Sequence, residues 1–259
     1  MRIIAVLNAK GGTAKTTTAL NVGAALSLCG FKVLLIDMDS QGHLSISTGL
    51  DDLKADDVTI YEVLNGSGDI NKAIRTHEGR TAYDIIPADM RLSAGEVEFV
   101  QREGYNYLLR DALGKLRTAY DYCLIDCPTG FNVLTLNALT AATETLIPVQ
   151  ASYLPLKAVQ ALRETVEAVS ESFNPSLKVG GIVVTFYDAR GKLDNEIREA
   201  LIEAFDGEVY ETTLSRCKKL GEAPATGKDI LDYAFKSTGS IQYQALTQEI
   251  IKRGANNGR

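Results

Sequence analysis

The stretch Ala9-Lys10-Gly11-Gly12-Thr13-Ala14-Lys15-Thr16-Thr17 follows an apolar run near the start of the chain and leads into a helical pattern. A strand–loop–helix junction of this composition is an anion cradle. Gly11 and Gly12 permit tight, left-handed turns that aim successive backbone N–H groups inward. The helix opening near Lys15 adds its unpaired N–H groups and the positive end of its dipole. Lys15 supplies a point charge for the β and γ phosphates of a nucleotide, and the Thr16 hydroxyl is placed to ligate Mg2+. Residues 10–17, with Thr13, Ala14 and Thr17 completing the turn, are the predicted nucleotide-binding loop. One lysine suffices for that task, so Lys10, five residues before Lys15, is one more than a single loop needs.

Two acidic segments extend this chemistry. The apolar run 32–37 ends in Asp37, with Asp39 two residues on, and the run 122–126 ends in Asp126, followed by Cys127-Pro128-Thr129-Gly130. Open α/β sheets place their ligands at the carboxyl ends of strands. Four apolar or aromatic residues and then an Asp, about 110 residues after a phosphate loop, form a Walker B pattern, whose carboxylate holds Mg2+ directly or through water. Thr16, Asp37 and Asp126 are the candidate metal ligands. Asp39 sits in the loop that faces the terminal phosphate, and Gly130 gives its loop freedom to move when that phosphate leaves.

A parallel sheet is what brings such strand ends together. Short β-branched runs at 3–8, 32–37, 83–88, 122–127, 145–150, 180–186 and 209–214 alternate with helical patterns at 15–29, 95–117, 131–142, 155–173, 193–205 and 239–253. Short helices are expected at 59–65 and 69–75 within a polar, irregular region spanning 42–80. Alternation of this kind signals βαβ units, and strands apolar throughout are covered on both faces. The predicted fold is α/β: one doubly wound, mostly parallel sheet with helices on both faces, spanning residues 1–259 as a single domain with a frayed tail at 254–259.

Composition fits: 259 residues, 45% hydrophobic and 23% charged, describe an ordinary globular chain. No apolar run reaches the roughly 20 residues that span a bilayer. The six-residue apolar run at the N-terminus reads as a buried strand rather than a signal peptide. Four cysteines without a CxxC pair read as reduced cytosolic thiols. Net charge is −6, yet residues 210–259 carry eight Lys/Arg against five Asp/Glu, while the first 209 carry a net −9. A local basic surface on an acidic protein is compatible with nucleic acid.

Taken together, these residues resemble the ParA family of deviant-Walker ATPases, in the wider group that includes MinD. The family's KGGxxKT loop is matched by residues 10–16, its DxDxQG segment by 37–42 with Ser40 where proline is common, and its DxPP segment by Asp126-Cys127-Pro128, with Thr129 in place of the second proline. Further matches are Thr185, Asp188 and Arg190; Arg216, Lys219, Glu222, Pro224, Gly227, Lys228 and Ile230; and Tyr233, Ser237, Gly239 and Tyr243. One stretch departs: PVQASYLPLKAVQAL, residues 148–162, lacks the glutamate and glycine usual there.

The resemblance implies a P-loop ATPase that uses ATP and Mg2+ and dimerises with ATP sandwiched between two subunits. It makes Lys10 the residue that reaches the partner subunit's phosphates and Asp39 the residue that positions the attacking water. Lys10, Lys15 and Asp39 are then the catalytic set. It places Arg190, Arg216 and Lys219 on nonspecific double-stranded DNA, and it implies a nucleoid-associated, cytoplasmic partition or positioning switch whose slow hydrolysis a ParB-like adaptor stimulates. No recognition-helix pattern precedes the first strand, as in the short, Soj-like form.

The rival reading is a MinD-like membrane switch, which needs an amphipathic C-terminal helix. Here the end offers only Leu246, Ile250 and Ile251 as large apolar residues. A metabolic kinase or ligase of the dethiobiotin-synthetase kind shares the loop without needing Arg190, Arg216 and Lys219. His43 and His77 are too few and scattered for a metal site and are expected in loops. Cys127 has no partner spacing for an iron–sulfur cluster.

Overall fold

The computed structural model describes residues 1–151 and 155–256. Its strands are β1 (Arg2–Val6), β2 (Val33–Asp37), β3 (Arg75–His77), β4 (Tyr83–Ile86), β5 (Tyr122–Asp126), β6 (Glu144–Gln150) and β7 (Lys178–Thr185). They form one sheet in the order β3-β4-β2-β5-β1-β6-β7, parallel throughout except for the β3–β4 pair. The helices are α1 (Lys15–Leu28), α2 (His43–Ser47), α3 (Ile60–Asn65), α4 (Ile70–Ala73), α5 (Leu92–Phe99) and α6 (Leu108–Leu113), then α7 (Val133–Ala141), α8 (Pro155–Ser172), α9 (Lys192–Ala204), α10 (Lys218–Glu222), α11 (Ile230–Tyr233) and α12 (Thr238–Asn256). A 3-10 turn, Ala223–Thr226, follows α10.

The period-2 geometry of each strand divides its side chains between two cores. Along β1, Ile4 and Val6 enter the core beneath α1, α2, α11 and α12, while Ala5 enters the core beneath α3 to α9. The predicted doubly wound architecture is what forms. Helix α1 is the pivot of the first core: Thr18 through Leu26 are all buried, and Gly23 lies so close to β2 that a Cβ there would stand 2.5 Å from Leu35. Helix α12 packs across α1, with Leu246 and Ile250 buried and the Tyr243 hydroxyl 3.3 Å from that of Thr18. The three apolar residues weighed for a membrane face are thus largely spent on the interior. Among the described residues, no helix is long and apolar enough to cross a membrane.

Several elements differ from expectation for identifiable reasons. The pattern 95–117 is two helices, α5 and α6, because Gly104 between them is left-handed (φ 67°), which a helix interior does not hold. Residues 209–214 make only isolated bridges to β7, at Ile182–Val209 and Thr185–Leu214. Between the bridges, the Glu249 carboxylate of α12 accepts from the amides of Glu211 and Thr212, both at 2.8 Å, and so takes the donors a ladder would use. The helix expected at 69–75 stops at Ala73 and gives way to the antiparallel edge strand β3. His43 opens α2 and His77 lies on β3, so neither is a loop residue. Helix α12 runs to Asn256, past the start of the tail expected at Gly254, and residues 257–259 lie outside the described residues.

The loop after β1 ends at Ala14, which caps α1 in the left-handed conformation (φ 70°, ψ 31°). A side chain there costs about 1–2 kcal/mol. Ala14→Gly is expected to raise the thermal midpoint of the nucleotide-free protein by about 2–4 °C, as read by scanning calorimetry. A lower midpoint would show that the methyl group packs usefully.

Candidate functional site

Strand register creates the site. Val6, Asp37 and Asp126 are laterally paired at the carboxyl ends of β1, β2 and β5, so both acidic ends stand level with the point where the phosphate loop leaves the sheet. Asn8 anchors that loop: its amide donates to the Pro148 carbonyl at 2.7 Å, and its Oδ1 accepts from the Lys10 amide at 2.9 Å. The Thr185 hydroxyl at the end of β7 donates to the Thr13 carbonyl at 3.3 Å. The loop is thus braced on β6 and β7 before any ligand arrives.

The two lysines are placed differently. Lys15 is 7% exposed, with its ammonium 3.2 Å from Thr129 Oγ1 and 3.5 Å from the Lys10 carbonyl oxygen. Lys10 is exposed on the shoulder of the loop. Thr129, the residue that replaces a family proline, therefore supplies the oxygen that the buried lysine holds.

Asp37 is fully buried and clasped. Its Oδ2 accepts from the amide and hydroxyl of Ser45, at 2.8 and 2.7 Å, and its Oδ1 accepts from the Asp39 amide at 3.1 Å. The Ser45 hydroxyl oxygen in turn accepts from the Ala88 amide at 2.9 Å. Gly42 makes this return possible: it caps α2 with φ 62°, and a Cβ there would stand 3.0 Å from the Ala88 carbonyl oxygen. Burial pushes the Asp37 carboxyl up to about 6, even against those three hydrogen bonds. Asp39 is half-buried, its Oδ1 accepting from the Gln41 amide at 3.0 Å.

Asp126 carries the greatest electrostatic strain. It is fully buried, and neither carboxylate oxygen has a hydrogen bond of normal geometry among the described residues. Burial and then the charge of Asp37 hold its carboxyl well above the usual carboxylate range, while the facing Thr16 hydroxyl and Lys15 draw it down. Carboxylate and hydroxyl oxygens are the hard donors that Mg2+ takes. Thr16 and the orphaned Asp126 fit that ion directly, and Asp37, already saturated by Ser45, fits as a neighbour acting through water.

Beside the loop lies a cavity of about 650 Å3, lined by Gly12, Ala14 and Thr17 on one side and by Phe186, Leu214 and Cys217 on another, with Tyr243 at its base. Phe186 adopts φ 55°, and the Arg216 guanidinium lies 4.9 Å from its ring. This cavity was not foreseen, because its walls come from segments about 170 to 230 residues apart in sequence. Asn8, Ser45 and Phe186 were missed as site residues for the same reason. Arg190 is 95% exposed, with Asp188 at 3.8 Å. Lys219 is exposed on α10, its ammonium 2.7 Å from Glu222 and 5.5 Å from the Tyr233 ring. The Thr185–Leu214 bridge puts the segments bearing Arg190 and Arg216 side by side. Of the departing stretch 148–162, residues 152–154 lie outside the described residues.

A protein-family model described as "AAA domain" matches residues 1–179. Chromosome partitioning protein ParA of Caulobacter vibrioides (strain NA1000 / CB15N) is 41% identical over 256 residues, spanning 98% of this chain and 95% of that protein. Chromosome-partitioning ATPase Soj of Treponema pallidum (strain Nichols) is 38% identical, over 97% of this chain and 98% of its own. Among solved structures, cobyrinic acid a,c-diamide synthase from Mycobacterium smegmatis, with bound ADP and magnesium, superimposes with a TM-score of 0.85 at 33% identity, covering 100% of this chain and 97% of that one.

The carboxylate pair has a pH signature. Both carboxyls titrate higher in the folded protein than the ~4 of an unfolded chain. The folded form therefore takes up protons as pH falls, and the pair destabilises the nucleotide-free protein most at high pH, the Asp37 share fading below about 6. Asp126→Asn removes the repulsion and is expected to stabilise the metal-free protein at pH 8 by about 1–3 kcal/mol. The gain should shrink as pH falls toward 5, as measured by urea unfolding at several pH values. A variant less stable than wild type at pH 8 would contradict this account.

Proposed function

The chain belongs to the ParA family of P-loop ATPases, and from that membership we propose that it is an ATP-dependent partition switch. In this reading it dimerises around ATP, binds DNA without sequence preference and moves or positions a cargo. The observation that carries the reading is the division between the two lysines: Lys15 is buried inside its own loop, whereas Lys10 is exposed. A cation so placed can meet the phosphates of a second subunit, which makes dimerisation depend on the nucleotide. Exposed Met90, Val97 and Phe131 near the 37–43 and 126–132 loops offer apolar contact surface for that second subunit.

ATP would lie with its phosphates in residues 10–17 and its base and ribose in the cavity against Phe186 and Leu214. Thr16 and Asp126 would hold Mg2+, which neutralises phosphate charge when bound. Arrival of the γ-phosphate offers Lys15 a stronger acceptor than Thr129, releasing the 126–132 loop. Asp39, tethered through its own amide to Asp37, would orient the attacking water. Hydrolysis by the isolated dimer is slow in this scheme and rises when a ParB-like adaptor fixes the loops.

Arg190, Arg216 and Lys219 would meet DNA phosphates, so binding ignores sequence and falls with salt. Nucleoid association follows from that. A synthase role, suggested by the name of the solved Mycobacterium structure, is the less favoured reading because it gives these three exposed cations no task. The MinD-like reading is disfavoured by the burial of Leu246 and Ile250 against α1.

Retention on nonspecific duplex is expected with ATP and not with ADP. For a dimer presenting six cations, affinity should fall about a thousandfold between 50 and 200 mM salt. Equal retention in every nucleotide state, or none with ATP, would refute the reading. Lys10→Ala should retain ATP binding in equilibrium dialysis yet stay monomeric by light scattering. A dimer of wild-type strength would remove Lys10 from the role given to it.

A further inference from the structure

At the far edge of the sheet, away from the phosphate loop, four polar side chains converge that the ATPase chemistry does not use. They are His77 on β3, Tyr83 on β4, and Asp229 and Asp232 at and just inside the start of α11. One ligand atom each from His77, Asp229 and Asp232 lies within 4.8 Å of the others, and His77 Nε2 is 3.7 Å from Asp232 Oδ2. Asp229 is fully buried, and Tyr83 is 2% exposed.

Their hydrogen bonds leave one direction unfilled. Asp229 Oδ1 caps α11 by accepting from the Leu231 and Asp232 amides, and its Oδ2 accepts from the Thr81 hydroxyl at 2.6 Å. Asp232 Oδ1 accepts from the Arg80 amide at 2.7 Å, which turns Oδ2 toward His77. Gly79 permits that approach, since a Cβ there would stand 2.1 Å from Asp232 Oδ2. His77 Nε2 and the Tyr83 hydroxyl are buried without a hydrogen-bond partner among the described residues. The two rings stack at 4.6 Å, 8° from parallel. Burial and then the charges of Asp229 and Asp232 hold the Tyr83 hydroxyl well above its ordinary pKa, which places that hydroxyl within the field of the same carboxylates. Two carboxylates and an imidazole nitrogen thus converge within 4.8 Å of one another.

We propose that His77, Asp229 and Asp232 bind a divalent transition-metal ion of the Zn2+ class, with the Tyr83 ring stacked on His77 beside them. For metal–ligand bonds of about 2.1 Å, tetrahedral donor atoms stand roughly 3.4 Å apart. The His77–Asp232 pair is near that spacing, and the third atom needs a movement of at most ~1.4 Å. An imidazole nitrogen in the set favours Zn2+, or Co2+ in its place, over Mg2+ or Ca2+. Thr81 and the Arg80 amide supply the outer hydrogen bonds that orient ligating carboxylates. The sequence spacing concealed this site: His77 and Asp229 are 152 residues apart, and they meet because Arg80 and Thr81, in the turn after β3, hydrogen-bond to Asp232 and Asp229 at the start of α11. The ion ties the edge hairpin to α11. Tyr233, next to Asp232, donates to Glu222, the partner of Lys219, so the tie reaches the basic segment.

The test titrates Zn2+ by calorimetry into the full chain, without nucleotide or Mg2+, for wild type, His77→Gln and Asp232→Asn. Zinc bound at exposed Cys29 or at the 10–39 and 126 region is common to all three and cancels. Wild type is expected to bind one equivalent more, and in each variant affinity at that site should fall by more than about tenfold. Its thermal midpoint should rise about 5–10 °C at a hundredfold excess over Kd, a rise absent in the variants. Gly79→Ala keeps every donor but displaces Asp232, and should weaken binding about tenfold even if a ligand variant fails to fold. Co2+ at this site should give visible absorption without a thiolate charge-transfer band. Identical isotherms and midpoints in wild type and variants would overturn the proposal, leaving an ordinary His77–Asp232 pair.

Discussion

Two carboxylates, Asp37 and Asp126, end neighbouring strands at the same level and are both removed from water. Like charges so placed repel strongly, and burial magnifies the effect. Parallel topology imposes the arrangement: β2 and β5 run in the same direction, so their acidic carboxyl ends cannot be separated without a change of register. The surroundings are arranged around this conflict. Lys15 stands close enough to favour the charged form of Asp126, Ser45 donates twice to Asp37, and Asp126 keeps two oxygens unsatisfied. A site that is uncomfortable when empty is one that a cation and a polyphosphate complete.

The hydrogen bonds that ease the conflict also join the loops around the site. Ser45 belongs to α2 and holds both Asp37 and the Ala88 amide, so a displacement at the end of β2 is felt after β4. Thr129 holds Lys15 in the adjacent loop. The Lys15–Thr129 bond is one that a phosphate group can replace, while the Ser45 bonds stay within the scaffold. This separation of fixed scaffold and exchangeable fastenings is what a two-state element requires.

Much of this was legible in the residues themselves. The phosphate loop, the acidic strand ends and six of the seven strand runs depend on local pattern, and the structure has them within a few residues. What escaped notice depends on distant partners. Residues 209–214 have strand character, but Glu249 of α12 takes their amides. The split at Gly104 reflects one left-handed residue within a long amphipathic pattern. The cavity against Phe186, the clasp by Ser45 and the cluster around His77 each join segments whose spacing carries no signal. His77 was set aside because histidines were few; folding supplied the aspartates.

The central position of β1 has a consequence for how the protein is made. Residues 2–6 leave the ribosome well before their neighbours, residues 122–126 and 144–150. The helix that follows stays uncovered until residues 238–256 close over it. Such long-range pairing folds slowly and leaves apolar edges open to aggregation in the meantime. Until residues 238–256 emerge, the nascent chain therefore holds a complete phosphate-loop sequence and no finished phosphate site, so the ability to bind nucleotide lags well behind synthesis of the loop itself.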